Sequence, residues 1–295
     1  MDTRKCRALL EAIECGNLAR ASEKLGYTHS GISRMMASLE AEVGFPLLVR
    51  SKTGVVPTPE CESMLPLLAQ LAAVGEACEQ EAALVRGVEM GMVRVGSAYR
   101  QFMNVLASII AEFGREHPAI RIELDVQNST PLARKLDGRM LDFCIVSRRE
   151  GSFDWIPLLA DPMVMWVPAS HALVQKGSYP VERCAHDPFI EVYPGEDSDN
   201  ARLLASAEIV PSPRYTVPDT RAAYELVAAG LGVAMMNGLY AREADERVAC
   251  LPVSPDASVS IGIAHIPEDE ASPAVRAFIS FAIPRLVEAA RKLGD

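Results

Sequence analysis

Apolar residues recur every three or four positions through the first 43 residues and again from 59 to about 86. Beyond residue 90, short apolar runs alternate with amphipathic stretches. The first pattern predicts three helices. Arg4 to Glu14 places Leu9, Leu10 and Ile13 on one side, and a second helix follows the turn Gly16-Asn17 with Leu18, Ala21 and Leu25 in step. Gly26 ends that helix, because glycine takes the left-handed conformation at little cost. Thr28 is a fit N-cap for a third helix, whose inward stripe is Ile32, Met36, Leu39 and Val43. Two helices joined by a tight glycine turn form a helix-turn-helix unit.

Thr58 and Pro59 then suit the cap and first position of a long helix. Cys61, Met64, Leu68, Leu71, Gly75, Cys78, Ala82 and Val85 make its seam, with Pro66 in the first two turns. The pattern leaves two partners open for that seam: a second copy of the helix or the chain's own head. Past Gly87 the expected strands are Met92–Ser97, Ile120–Val126, Leu141–Val146, Met163–Val167, Tyr215–Val217, Val233–Met236 and Ser258–His265. The expected helices are Phe102–Glu116 (stopped by His117-Pro118), Thr130–Leu136, Ala201–Ala207, Thr220–Ala229 (closed by Gly230) and Ser272–Lys292. Such alternation predicts a parallel sheet wrapped by helices, with the chain crossing between halves near Ala160-Asp161-Pro162.

Composition changes this picture little, and charge changes it more. Of 295 residues, 49% are hydrophobic and 23% charged, an ordinary globular balance. No run of about 18 apolar residues occurs and the N-terminus lacks an apolar stretch of signal-peptide length, so a cytoplasmic protein without a membrane partner is expected. The seven cysteines are dispersed without CxxC pairs and read as reduced thiols. Net charge is −10, but residues 1–58 hold eight Lys/Arg against six Asp/Glu, net +2, and residues 59–295 hold twenty-one against thirty-three, net −12. A mildly basic head on an acidic body is compatible with nucleic-acid binding through the head alone.

On the third helix, His29, Ser30, Ser33, Arg34 and Ala37 face away from the inward stripe. Small or hydrogen-bonding side chains with one long cation suit a major groove, where arginine can pair bidentately with guanine. On spacing alone, the same residues could simply solvate a surface helix. The run from Ala21 to Arg34 (ASEKLGYTHSGISR), followed by Leu39-Glu40, Gly44, Leu47 and Arg50, resembles the head of the LysR-type transcriptional regulators. Thr58-Pro59 is similar to the "TPAG" that opens their linker helix. The stretches LDFCIVSRRE, LLADPMVMWVPASHAL and LVAAGLGVAMMN resemble segments of their effector domain, so the likeness spans nearly the whole chain. Departures fall at His29, where the family carries glutamine, and at Ser30, Leu48, Glu60 and Cys61. The change at His29 bears on operator sequence, because glutamine favours adenine.

The resemblance implies an α/β fold built as an N-terminal winged helix-turn-helix (1–58), a linker and dimerisation helix (59–88) and a two-lobed, periplasmic-binding-protein-like effector domain (89–295). Lobe I would take about 89–161 and 266–295, and lobe II about 162–265. It implies DNA contacts from Thr28, His29, Ser30, Ser33 and Arg34 and from the wing, Arg50, Lys52 and Thr53. Ligands in such folds sit outside the carboxyl ends of strands, at helix N-termini. That logic nominates Ser97, Tyr99, Arg100, Asn128, Ser129, Thr130, Ser147, Asn200, Thr220 and Asn237 for the effector, with Asp199 beside Asn200; Ser129, Thr130 and Asp219 could equally cap helices. Arg100, at a strand-to-helix turn, suits an anionic, carboxylate effector.

The expected partners are operator DNA, a small-molecule effector, further copies of the chain in a dimer of dimers, and RNA polymerase. No cofactor or metal is expected. A transport binding protein fits poorly with the head. An enzyme fits poorly with the absence of a nucleophile elbow, HExxH, P-loop or strand-following GxGxxG. A redox switch would need a cysteine pair, and Cys184 and Cys250 lack a flanking pattern for one.

Overall fold

The computed structural model describes residues 1–51, 54–86 and 90–294. In the head, α1 (Thr3–Cys15), α2 (Leu18–Leu25) and α3 (His29–Val43) begin at side-chain caps. Asp2 accepts from the Arg4 amide, Asn17 from Ala19 and Arg20, and Thr28 from Gly31. Each cap satisfies a backbone donor that the first helical turn leaves free. The apolar stripes meet in a core of Cys6, Leu9, Ala12, Leu18, Ala21, Ile32, Met36, Leu39 and Leu47. The buried side of α1 is therefore turned slightly from the expected one: Leu10 and Ile13 are half-buried, while Cys6 and Ala12 lie inside.

Strands β1 (Leu48–Ser51) and β2 (Gly54–Pro57) pair antiparallel as a small wing. Helix α4 (Pro59–Val85) follows, its first turn capped by the Thr58 hydroxyl, which accepts from the Cys61 amide and donates to the Pro46 carbonyl. The expected seam of α4 divides. Cys61 and Leu68 bury against the head, and Gln80 and Ala83 are buried farther along, whereas Cys78, Ala82 and Val85 are exposed.

The remaining residues form two lobes. The first is built by β3 (Gly91–Ser97), α5 (Met103–Glu116), β4 (Ile120–Val126), α6 (Ser129–Asp137) and β5 (Phe143–Ser147). The second is built around the latter half of β6 (Asp154–Pro168), with β7 (Tyr179–Pro180), β8 (Phe189–Val192), α7 (Asp199–Ser206), β9 (Pro213–Val217), α8 (Thr220–Ala228), β10 (Ala234–Asn237) and β11 (Val248–Ser254). Strand β12 (Ser258–His265) returns the chain to the first lobe, and α9 (Pro273–Gly294) packs there.

The sheet is mixed, a correction to the parallel sheet expected. β3 runs parallel to β4 and β5, but β12 is antiparallel to β5 and β6, and β10 and β11 are antiparallel to β6. The reason is the crossing itself. β6 passes through Ala160-Asp161-Pro162 without a break, paired to Ser260, Val259 and Ser258 of the returning β12. Two continuous strands thus carry the chain out of one lobe and back, a connection that cannot be parallel.

Gly262 lies at a register shift in this pairing. A Cβ there would stand 2.4 Å from the Ile156 carbonyl oxygen, so only glycine permits the approach. Lobe I is filled by Phe113, Phe143 and Phe278, whose rings meet edge to face with centroids 5.2 and 5.5 Å from that of Phe278. A separate core within lobe II includes Met163, Met165, Val167, Cys184, Phe189 and Leu251.

Candidate functional site: the third helix and the interlobe cleft

Two places carry chemistry beyond packing. The first is the outer face of α3. Thr28, His29, Ser30, Arg34 and Ala37 are exposed, Ser33 is half-buried, and Ile32, Met36 and Leu39 anchor the opposite side. The Arg34 Nε donates to the Ser30 carbonyl at 3.3 Å, which lays the side chain along the helix. Glu40 holds the wing to this helix: one carboxylate oxygen accepts from the Leu47 amide at 2.9 Å and the Leu48 amide at 3.2 Å. The second tether is the Val55 amide, which donates to the Gly16 carbonyl at 2.8 Å. A Cβ at Gly54 (φ +138°) would stand 2.2 Å from that same oxygen, so the wing reaches the α1–α2 turn only because residue 54 is glycine. Arg50 is exposed on β1, and Lys52 and Thr53 lie outside the described residues.

The second place is the cleft between the lobes. Asp199, the first residue of α7, reaches from lobe II across to lobe I. Its Oδ2 accepts from the Tyr99 hydroxyl at 2.8 Å and the Asn237 amide at 3.3 Å. Its Oδ1 accepts from the Ser147 hydroxyl at 2.6 Å and from Arg149 Nη2 at 3.0 Å. Arg149 also donates to the Ser147 hydroxyl and, through Nε, to Thr130 Oγ1, both at 2.8 Å. The side chains of this ion pair are only 6% and 9% exposed, so both charges are taken from water and held by these contacts. Burial and the neighbouring carboxylate push the Tyr99 hydroxyl far above the ordinary tyrosine range, so it stays a donor.

Around this centre, Thr130 donates to the Asp197 carbonyl at 2.9 Å, Asn128 hydrogen-bonds Glu196, and Thr220 bonds the Tyr193 hydroxyl at 3.0 Å. Ion pairing with Arg202 holds the Asp197 carboxyl below its usual range. A cavity of about 590 Å³ opens outside the polar centre. A smaller inner space lies against Tyr99, Arg149, Asp199 and Asn237, and Asn128, Tyr193, Thr220 and Tyr240 line both it and the outer cavity. The exposed cations Arg100 and Arg134 stand on the outer wall.

Among the nominated effector residues, Tyr99, Asn128, Ser129, Asn200, Thr220 and Asn237 border the inner space, and Arg100 and Thr130 the outer cavity. Three are otherwise engaged. Ser97 is 1% exposed and its hydroxyl donates to the Tyr99 carbonyl, so it shapes the turn and not the cleft wall. Asn200 donates to the Met235 carbonyl at 2.7 Å, and the Ser129 hydroxyl accepts from the Ser147 amide at 3.0 Å. Of the alternative cap roles, Asp219 does cap α8 by accepting from the Ala222 amide, whereas Ser129 and Thr130 sit inside α6. Arg149, Arg134, Tyr193, Glu196 and Asp197 were not foreseen. For Arg149 a signal existed: a second arginine just beyond a strand whose residues 143–146 are all apolar.

Known families settle what these two places belong to. The family description "Bacterial regulatory helix-turn-helix protein, lysR family" matches residues 3–62, and "LysR substrate binding domain" matches residues 86–286. The chain belongs to the LysR family.

Among LysR-family relatives, the HTH-type transcriptional regulator YvbU of Bacillus subtilis is 22% identical over 96% of this chain and 98% of its own length. The malonate utilization transcriptional regulator of Klebsiella pneumoniae is 23% identical over 80% of this chain and 79% of its own. Of solved structures, full-length OxyR C199D from Pseudomonas aeruginosa superposes with a TM-score of 0.69 at 22% identity, covering 97% of this chain and 94% of that one. Full-length CbnR in complex with its target DNA gives 0.55 at 19% identity, covering 97% and 100%. The fold is therefore that of the LysR regulators, a helix-turn-helix head joined to a two-lobed substrate-binding domain. The chain is a DNA-binding transcriptional regulator with an effector-binding domain, not an enzyme. No helix among the described residues is long and apolar enough to cross a membrane.

Proposed function

We propose that α3 enters the major groove of an operator through Thr28, His29, Ser30, Ser33 and Arg34, with Arg50, Lys52 and Thr53 of the wing beside the backbone. Arg34 and His29 address base edges, and the hydroxyls address bases or phosphate. The working division is a DNA-binding head at 1–58, a linker at 59–88 and an effector domain at 89–295. The exposed apolar side of α4, carrying Val74, Cys78 and Val85, supports pairing of two chains so that two heads meet two half-sites. Association into a dimer of dimers and contact with RNA polymerase complete the regulatory assembly.

The effector is a small carboxylate-bearing molecule bound between the lobes. One observation carries this reading: polar side chains from both lobes converge on a cleft whose outer cavity is walled by two exposed arginines, Arg100 and Arg134. The effector acts by binding one closure of the lobes more tightly than the other, since only that difference can move the equilibrium. A melting-temperature screen of small organic acids against the full-length protein tests it. Acids that raise the melting temperature should also change operator affinity, and Arg100→Ala with Arg134→Ala should weaken both effects together. Hits indifferent to both substitutions would contradict the placement.

A further inference from the structure

The polar centre of the cleft is already occupied by the chain itself. Two oxygens of Asp199 receive four donors from three segments: Tyr99, the stretch carrying Ser147 and Arg149, and Asn237. Three of these come from lobe I, and Asp199 stands on lobe II. The carboxylate is not needed to cap its own helix, because the Ser198 hydroxyl already accepts from the Ala201 amide at 3.2 Å. A guanidinium, two hydroxyls and an amide converging on one carboxylate in a nearly dry site is the arrangement that recognises a bound carboxylate ligand.

We propose that Asp199 is a tethered ligand that fills the anion position of this cleft, clasps the two lobes together without an effector, and is displaced when a free carboxylate takes its place at Arg149. This rests on the interlobe reading of the effector site. A second carboxylate cannot settle beside the first, since among the described residues Arg149 is the one guanidinium donating to Asp199, and like charges in a dry site repel strongly. Displacement frees α7 from Tyr99, Ser147 and Arg149, so occupancy is coupled to loosening of the lobes. Because the tether gives Asp199 a high effective concentration, small monocarboxylates compete poorly. A competent effector needs further contacts, and the outer cavity with Arg100 and Arg134 offers them.

The test is made on the full-length protein. Asp199→Ala removes the tethered carboxylate and leaves its four donors facing a space the size of acetate. Melting temperatures of parent and variant are recorded in potassium acetate or formate, against potassium chloride of equal ionic strength and against acetamide. The variant should gain stability saturably with acetate or formate and not with acetamide, with an apparent affinity roughly tenfold or more above the parent's. Adding Arg149→Gln to the variant should abolish the gain. A folded Asp199→Ala protein that responds to acetate no better than the parent overturns the proposal.

Asp199→Asn, which keeps the size and removes the charge, serves if the alanine variant does not fold. In that background Arg149→Gln should lower the melting temperature far less than it does in the parent, and equal losses overturn the clasp. Operator binding by the parent, with and without an active organic acid, is read alongside. An acid that acts through Arg100 while Asp199→Ala ignores acetate leaves the interlobe site standing and removes only the tethered ligand. The absence of any acid acting through the cleft removes the site itself.

Discussion

Glu40 is the residue through which α3 sets the wing. It lies in the last turns of α3, is half-buried, and accepts from the consecutive amides of Leu47 and Leu48 at 2.9 and 3.2 Å. Both leucines are buried, so their amides have little access to water if the carboxylate is removed. A hydrogen bond to a charged group contributes about 1.5–3 kcal/mol; partial access of water at Glu40 reduces the pair to about 2–3 kcal/mol in Glu40→Ala. At about 1.4 kcal/mol per tenfold, amide exchange at residues 47 and 48 should quicken roughly 30- to 150-fold. Glu40→Gln keeps an acceptor but loses the charge, so about half of the free-energy loss is expected. Hydrogen–deuterium exchange of the full-length protein, followed on peptides spanning 46–50, measures this. The wing should open while exchange in lobe I is unchanged, and DNA binding should weaken as Arg50 loses its fixed position. Exchange at 47 and 48 no faster in Glu40→Ala than in the parent would refute the tether.

Three further outcomes follow from the body of the protein. Asp142 accepts from the Arg94 amide at 2.7 Å, and burial pushes its carboxyl up to about 6 despite the opposing pull of the Arg94 guanidinium. A folded-state value above the unfolded one gives stability that is fully present at low pH and lost as pH rises through about 6, so the parent should lose ground to Asp142→Asn between about pH 4 and 6 in thermal melts; a constant difference would contradict it. Phe278→Ala, at the meeting of Phe113 and Phe143, should cost about 3–5 kcal/mol in chemical denaturation, and a loss below about 1 kcal/mol would mean that the lobe I core is drawn wrongly. Gly262→Ala should lower the melting temperature because its Cβ meets the Ile156 carbonyl, whereas Gly114→Ala, in open space on α5, should raise it by the equivalent of roughly 0.4–1 kcal/mol.

The head was legible because its signals are local. A cap, a glycine and an apolar stripe each act within a few residues, and Asn17, Gly26 and Thr28 stand where those rules place them. β12 was legible to the residue for a similar reason, as an alternating run between turn residues. β6 was seen only in its latter half, Met163–Val167; the stretch from Asp154 to Ala160 alternates less clearly, being half-exposed along much of its length. β8 has four residues behind a proline, and β11 contains Pro252, so neither carried a strand signal. The direction of β12 against β6 depends on where the chain returns, which no periodicity reports. The cleft followed the same division. Strand ends pointed to Tyr99, Ser147 and Asn237, but the pairing of Arg149 with Asp199, fifty residues apart, arises only when the lobes close on each other.

Direct binding of the full-length protein to the DNA upstream of its own gene, measured by fluorescence anisotropy across a salt series with Arg34→Ala alongside, tests the central claim that α3 reads an operator. The account predicts binding that weakens steeply with salt and a cost of about 1–3 kcal/mol for Arg34→Ala at the preferred sequence. Salt-insensitive or absent binding, or an Arg34→Ala protein indistinguishable from the parent, would contradict it.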